Sequence, residues 1–161
     1  MPKIDPIRAT DEDARQLARN LLATASYAAL GVLDPETGAP VVTRIALAQT
    51  GSGAITTLIS DLSAHTRALR ANPNASLLVG EPGDKGDPLT FARMSLTTRA
   101  AFVTRDSDDG TRIRDYWMRH RPKSKIYIDF ADFHFVRFEL TEIALNGGFG
   151  KAYRLTPADL A

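Results

Sequence analysis

"SYAALGVLDPETGAPVVTRIALAQTGSGAITTLISDLSAHTRALRANP", residues 26–73, contains the pattern that decides the fold. Ser26–Leu33 and Val41–Ala48 are apolar runs parted by the turn-rich DPETGAP, which predicts a hairpin. TGSG then turns the chain into Ala54–Ile59. Three consecutive strands with short turns predict an antiparallel meander, not a strand–helix–strand unit. A short helix starts among the hydroxyls of SDLSAHTRAL and is stopped by Pro73.

On the N-terminal side, Thr10 followed by Asp11, Glu12 and Asp13 has the form of an N-cap with an acidic first turn. Ala14, Leu17, Ala18, Leu21 and Leu22 repeat at helical spacing, predicting a helix over 10–24. Beyond Pro73, strands are expected at Ala75–Gly80, Leu89–Thr104, KIYIDF (125–130) and FHFVRFELTEIALN (133–146). Between them Asp106, Ser107 and Asp108 open a third helix, in which Ile113, Tyr116, Trp117 and His120 share a face and which Pro122 ends. Nothing divides the chain, so residues 1–161 are expected as one domain, a helix over 10–24 leading into a barrel over 26–155. The fold class is α+β: a small antiparallel β-barrel with peripheral helices.

Composition narrows the function. Net charge is +1 with a pI near 8.1, too balanced for nucleic acid as the default partner. There is no cysteine, which removes disulfides, thiolate metal sites and cysteine nucleophiles. The start MPKIDPIRATDEDAR has no apolar core, and the longest uncharged apolar-rich run, Asn20–Leu33, is 14 residues. That is neither a leader nor a membrane span, so a cytoplasmic protein without a membrane partner is expected.

A few residues carry candidate chemistry. Alternation puts Arg44 on one face of its strand with Val42, Ala46 and Ala48, where a permanent cation needs an anion or open water. Ser63 can cap the helix by accepting from the N–H of Thr66; Ser60, Ser63, His65 and Thr66 together offer more donors than a cap requires. A strand running into a helix start rich in hydroxyls is a phosphate-binding arrangement. The Ser, His and Asp of SDLSAH lack a nucleophile elbow, and His65, His120 and His134 lack metal-ligand spacing, so no metal is expected. NGGFGK (146–151) matches neither a Walker nor a Rossmann pattern, and its glycines let the chain bend at a strand end. The cationic third helix reads as aromatics packed inward beneath a solvated charged face.

SDLSAHTRAL, ASLLVG, DPLTFARMSLTTRAAF, HRPKSKIYIDFADFHFVRFEL and the terminal NGGFGKAYRL together resemble the split-barrel superfamily of pyridoxamine 5′-phosphate oxidase over Ser26–Leu155, above all its haem-utilisation branch. The resemblance implies a six-stranded antiparallel split barrel, a homodimer, and FMN held between subunits. It matches Arg44 to the phosphate-holding arginine and Ser60–His65, with Ser63, to the other phosphate donors. It places Arg93 and Ser95 where polar groups reach the flavin across the dimer. The implied function is an FMN-binding flavoprotein with oxidoreductase chemistry on an unnamed small molecule. The alternative is a haem- or tetrapyrrole-binding protein of the same fold. No catalytic acid or base is identified. The ending YRLTPADLA lacks the oxidases' substrate motif, so no pyridoxamine phosphate oxidation is expected. No histidine follows His134 to match the C-terminal iron ligand of the haem-degrading relatives.

Overall fold

The computed structural model describes residues 2–161. In chain order its elements are β1 (Ile7–Arg8), α1 (Glu12–Thr24), β2 (Tyr27–Leu33), β3 (Pro40–Ala46), β4 (Ala48–Gln49), β5 (Ile55–Ser60), α2 (Ala64–Ala71), β6 (Asn74–Val79), β7 (Arg93–Phe102), α3 (Asp108–His120), β8 (Phe133–Asn146) and β9 (Ala152–Leu155). Helix α1 begins later than expected because Asp11, not Thr10, is the N-cap: its carboxylate accepts from the N–H of Ala14 at 2.8 Å. The Thr10 hydroxyl instead donates to the carbonyl of Arg154 at 3.2 Å. Between β2 and β3 the Asp34 carboxylate accepts from the N–H groups of Glu36 and Thr37, closing the predicted hairpin turn.

Hydrogen-bonded ladders run β3–β2–β6–β7–β8, and the first half of β8 then pairs with β5. The ring closes without a ladder. The Thr57 hydroxyl of β5 donates to the carbonyl of Ala46 at the end of β3, at 2.6 Å. On the same side of β8, its second half pairs with β9 instead, and β9 carries β1. The barrel is therefore split along β8. This corrects the expected count: nine strands share one sheet, the additional ones being the short β1, β4 and β9. It also corrects the expected antiparallel sheet, because β1 and β9 pair in parallel and make it mixed.

Two apolar cores result. Leu30, Ile45, Leu77, Leu96, Val136 and Ile143 fill the barrel, with α1 and α2 contributing Leu22 and Leu69. Outside β5 and β8, helix α3 buries Ile113 and Trp117 against Leu58 and Phe135. Of the three residues expected to open α3, Ser107 is the cap, accepting from the N–H of Gly110 at 3.0 Å.

KIYIDF is not a strand. Pro122–Ile126 form a 3₁₀ turn and the next three residues a further turn. The reason lies outside the segment. The Arg105 guanidinium donates to the carbonyls of Ile128, Phe130 and Phe133, satisfying acceptors that would otherwise need a ladder. Fully buried Ile128 pins the loop into the second core. The glycines of NGGFGK do serve a bend: Gly148 (φ 119°) and Gly150 (φ 69°) turn β8 into β9. Among the described residues no helix is long and apolar enough to cross a membrane.

Candidate functional site

The registers align one row of side chains across the outside of the split barrel: Arg44, Ala29, Leu78, Ser95, Ala144 and Arg154. Each neighbour is one strand spacing away, about 4.8 Å. The parallel row on one side holds Val42, Gly31, Ser76, Thr97 and Glu142. On the other side Arg93 lies opposite Asn146, which lies opposite Ala152. Small residues thus alternate with Leu78 and Val42 across this face, and arginines stand on it. Over Gly31, Ser76, Thr97 and Arg99 the face dips into a hollow of about 560 Å³. Over Leu78, Arg93, Ser95 and Asn146 it dips into a second, of about 260 Å³.

Charge on this face is unbalanced. The Arg44 guanidinium lies 5.3 Å from the centre of the Tyr27 ring, and among the described residues no carboxylate pairs with it. Arg93 donates from one nitrogen to the carbonyls of Leu89 and Phe91, which leaves its other donors for a ligand. Leu33, Val42, Leu78 and Tyr27 are exposed on the same face, an unusual amount of apolar surface beside unpaired cations.

The start of α2 forms a different cluster. Ser63 stands at the N-cap, but its hydroxyl makes no capping bond; only its carbonyl accepts from the N–H of Thr66, at 3.1 Å. The expected Ser63 cap is absent because the N–H of Thr66 goes to the Ser63 carbonyl instead, while the Thr66 hydroxyl donates to the Ser60 carbonyl at 2.6 Å. The Ser60 hydroxyl is already used: it donates to Asp132 at 2.7 Å and accepts from the N–H of Leu62. His65 bonds through Nδ1 to the Thr43 hydroxyl at 2.9 Å, while its Nε2 is buried with no partner. Burial pushes His65 below the ordinary imidazole range, so it is neutral at pH 7 and brings no positive charge to this cluster. Beside it His134 bonds Asp61 at 2.8 Å; that contact, with Arg70, holds the Asp61 carboxyl below the usual carboxylate range.

The two clusters do not merge. Thr43 and Arg44 are adjacent on β3 and project from opposite faces, so the strand that ties His65 in place turns Arg44 away. No hydrogen bond joins Arg44 to Ser60, Ser63 or His65. Arg44 and Ser95 instead share a row, three strand spacings or about 14 Å apart. Tyr27, Asn146 and Arg154 complete this face and were not singled out in the sequence. Alternation in YAALGVL and AYRL was the available signal, but it shows no face in common until distant strands are registered.

A sequence profile described as CREG, beta-barrel matches residues 9–160. The chain belongs to the CREG β-barrel family. A curated relative, the chloroplastic non-canonical heme oxygenase HOZ of Arabidopsis thaliana, is 30% identical over 117 residues, 72% of this chain and 34% of that protein. A solved heme binding protein from Mycobacterium smegmatis superimposes with a TM-score of 0.82 at 25% identity, over 96% of this chain and 61% of that one. This CREG-family chain thus spans about a third of the plant relative and under two thirds of the mycobacterial one. A Clostridium acetobutylicum protein of the pyridoxinephosphate oxidase family superimposes with a TM-score of 0.69 at 14% identity, covering 94% of this chain and all of that one. The expected resemblance holds at the level of fold: the CREG-family barrel is that of the oxidases.

Proposed function

We propose that this CREG-family protein binds haem on the outer face of its sheet, as a haem-binding or haem-utilisation protein, and that a second copy of the chain covers that face. The observation that carries the reading is an outer sheet face of small and apolar residues, Ala29, Gly31, Ser76, Leu78 and Ala144, with unpaired Arg44 and Arg93 on it. A porphyrin is a flat apolar ring with two carboxylates on one edge; the apolar face suits the ring, and a cation on it suits a carboxylate. The relatives named for haem support this ligand over the flavin that the oxidase likeness suggests. Bound haem supplies an iron centre capable of oxygen chemistry, and the protein's part is to hold the ring and keep water from it. No histidine stands on this face: His65 bonds Thr43, His134 bonds Asp61, and His120 stacks on Tyr116 at 4.0 Å. The reading therefore gives these residues the ring and its carboxylates alone.

Arg44→Ala should weaken ferric haem binding by about 2 kcal/mol, roughly 30-fold, the worth of a charge-assisted hydrogen bond. Haem dimethyl ester, whose carboxylates are capped, should bind the variant and the parent equally. Equal losses for both ligands, or none for either with the fold intact, would remove Arg44 from the site.

The second copy has its own reason. Tyr27, Leu33, Val42 and Leu78 expose apolar surface that a matching face would bury about a twofold axis, bringing Arg93 and Ser95 of one copy towards Arg44 of the other. Light scattering should give twice the 17.5 kDa chain mass. A monomer with ligand bound at micromolar concentration would contradict it.

One observation favours FMN as a second reading. The Ser63 hydroxyl, uncommitted at the start of α2, remains available to a phosphate, as the oxidase likeness implies for Ser60, Ser63 and His65. In that case Ser63→Ala would weaken FMN and leave riboflavin unchanged.

A further inference from the structure

Three apolar side chains protrude near one end of the β5–β8 ladder, outside the rows of the sheet face described above. Leu62 is 90% exposed in the turn between β5 and α2; in the loop between α3 and β8, Ile126 is 77% exposed and Phe130 53%. Phe133 draws the two segments together. Its ring lies 4.8 Å from that of Tyr127 and 6.1 Å from that of Phe130, and its register partner on β5 is Ser60. The N–H of Asp61 donates to the carbonyl of Asp132 at 2.7 Å, which fixes the Leu62 turn beside the end of the loop.

The loop cannot fold its apolar residues away. The Arg105 guanidinium holds the carbonyls of Ile128, Phe130 and Phe133, and Ile128 is fully buried in the second core. Ile126 and Phe130 lie two residues to either side of that anchor, so their exposure belongs to a fixed frame. Apolar side chains grouped and held in water in this way mark a contact surface.

Charge indicates the partner. Lys123 and Lys125 are exposed beside Ile126 and make no ion pair, and Arg119, also exposed and unpaired, precedes them at the end of α3. The acids of the two segments are engaged: Asp129 pairs with Arg114 at 2.7 Å, Asp61 is shared by His134 and Arg70, and Asp132 accepts from the Ser60 hydroxyl. Asp115, one turn before Arg119, is left exposed without an ion pair. The partner is therefore anionic and receives convex apolar side chains. A protein partner pairs knobs with pockets on both sides, yet Leu62, Ile126 and Phe130 line none of the main hollows of this molecule. A lipid interface takes protruding side chains at headgroup depth and needs no hollow.

We propose that this end of the molecule is a peripheral membrane contact, in which Leu62, Ile126 and Phe130 enter the interface of an anionic bilayer and Lys123 and Lys125 lie against its headgroups. Such a contact needs neither a leader nor a span, the two features on which the expectation of no membrane partner rested. It is independent of the ligand bound on the sheet face.

The test is sedimentation of the full chain with vesicles of phosphatidylcholine alone, and with about one lipid in three replaced by phosphatidylserine. Wild type should sediment with the anionic vesicles and stay in solution with the neutral ones. Lys123→Gln combined with Lys125→Gln should weaken binding roughly 30-fold at low salt. Ile126→Ser combined with Phe130→Ser should weaken it at least roughly tenfold, and Leu62→Ser, in the other segment, should add to that loss. Circular dichroism checks that each variant is folded. Absence of wild-type binding to anionic vesicles, or equal binding to neutral ones, overturns the proposal. So does binding that the serine variants leave unchanged, which is adsorption by charge alone. A wild-type dimer that the serine variants convert to monomer assigns the patch to a second copy and overturns it as well.

Discussion

Trp117→Ala should cost about 3–5 kcal/mol, enough to leave the barrel marginal. Trp117 is 1% exposed, the largest side chain of the second core. Its ring packs against Phe135 at 5.8 Å between centroids, and it is the means by which α3 is held on the sheet. Truncation removes the ring's transfer energy and opens a cavity between a helix and a closed barrel, neither of which can collapse far. It also breaks a hydrogen-bond chain. The indole N–H donates to the Thr56 hydroxyl at 3.0 Å, and that hydroxyl donates to the carbonyl of Ala48 at 2.8 Å. Thr56 is completely buried, so its oxygen would lose a partner that water cannot replace at the packed site. Urea unfolding followed by far-ultraviolet dichroism reads the loss directly. Trp117→Phe, which keeps most of the volume and loses only the N–H, should cost markedly less. A loss below about 1 kcal/mol for the alanine variant would mean that α3 does not depend on this core.

Gly110→Ala should destabilise the protein by about 3 kcal/mol, although alanine is the better helix former. Gly110 sits in the first turn of α3, and a β-carbon there would lie 2.3 Å from the carbonyl oxygen of Thr104 and 2.6 Å from that of Arg105. Both contacts are with backbone, which has little freedom to retreat. The Thr104 carbonyl accepts from the Ser107 hydroxyl at 2.6 Å and from its N–H at 3.2 Å. Arg105 is tied through its side chain to the carbonyls of Ile128 and Phe130 in the loop before β8 and of Phe133 at its start. Relief has to come from α3 itself, at the expense of the Ser107 cap, which is worth about 1 kcal/mol. The roughly 1 kcal/mol gained in helix propensity offsets only that part. Thermal and urea unfolding of the variant measure the balance. Unchanged or increased stability would show that the chain turn before α3 is looser than its hydrogen bonds imply.

Much of the barrel was legible because its signals are local. The hairpin of β2 and β3, the span of β8 and the start of α3 near Ser107 follow from alternation and turn residues, all decided within a few positions. What failed depended on distant partners. KIYIDF has the composition of a strand, yet Arg105 occupies its carbonyls and Ile128 is drawn into a core built by α3. The short β1 and β9 have little pattern of their own and exist because the second half of β8 leaves an edge for them.

The site divides the same way. Arg44 stood out because a cation interrupts a small-residue face, and the structure leaves it without an acid. Its expected company at α2 did not follow, since the strand period that exposes Arg44 directs Thr43 to His65. Arg154 is placed on the same face only through Ala144 and Ser95, residues 10 and 59 positions away along the chain, which no local reading joins.

The central claim, haem on the outer face of the sheet, is tested most directly by parallel spectral titration of ligand-free protein with ferric haem and with FMN. The account predicts a saturable shift and sharpening of the Soret band, with haem bound at least roughly tenfold more tightly than FMN, a difference of about 1.4 kcal/mol. Saturable uptake of FMN with bound-flavin absorption bands, and no saturable Soret change on adding haem, would contradict it.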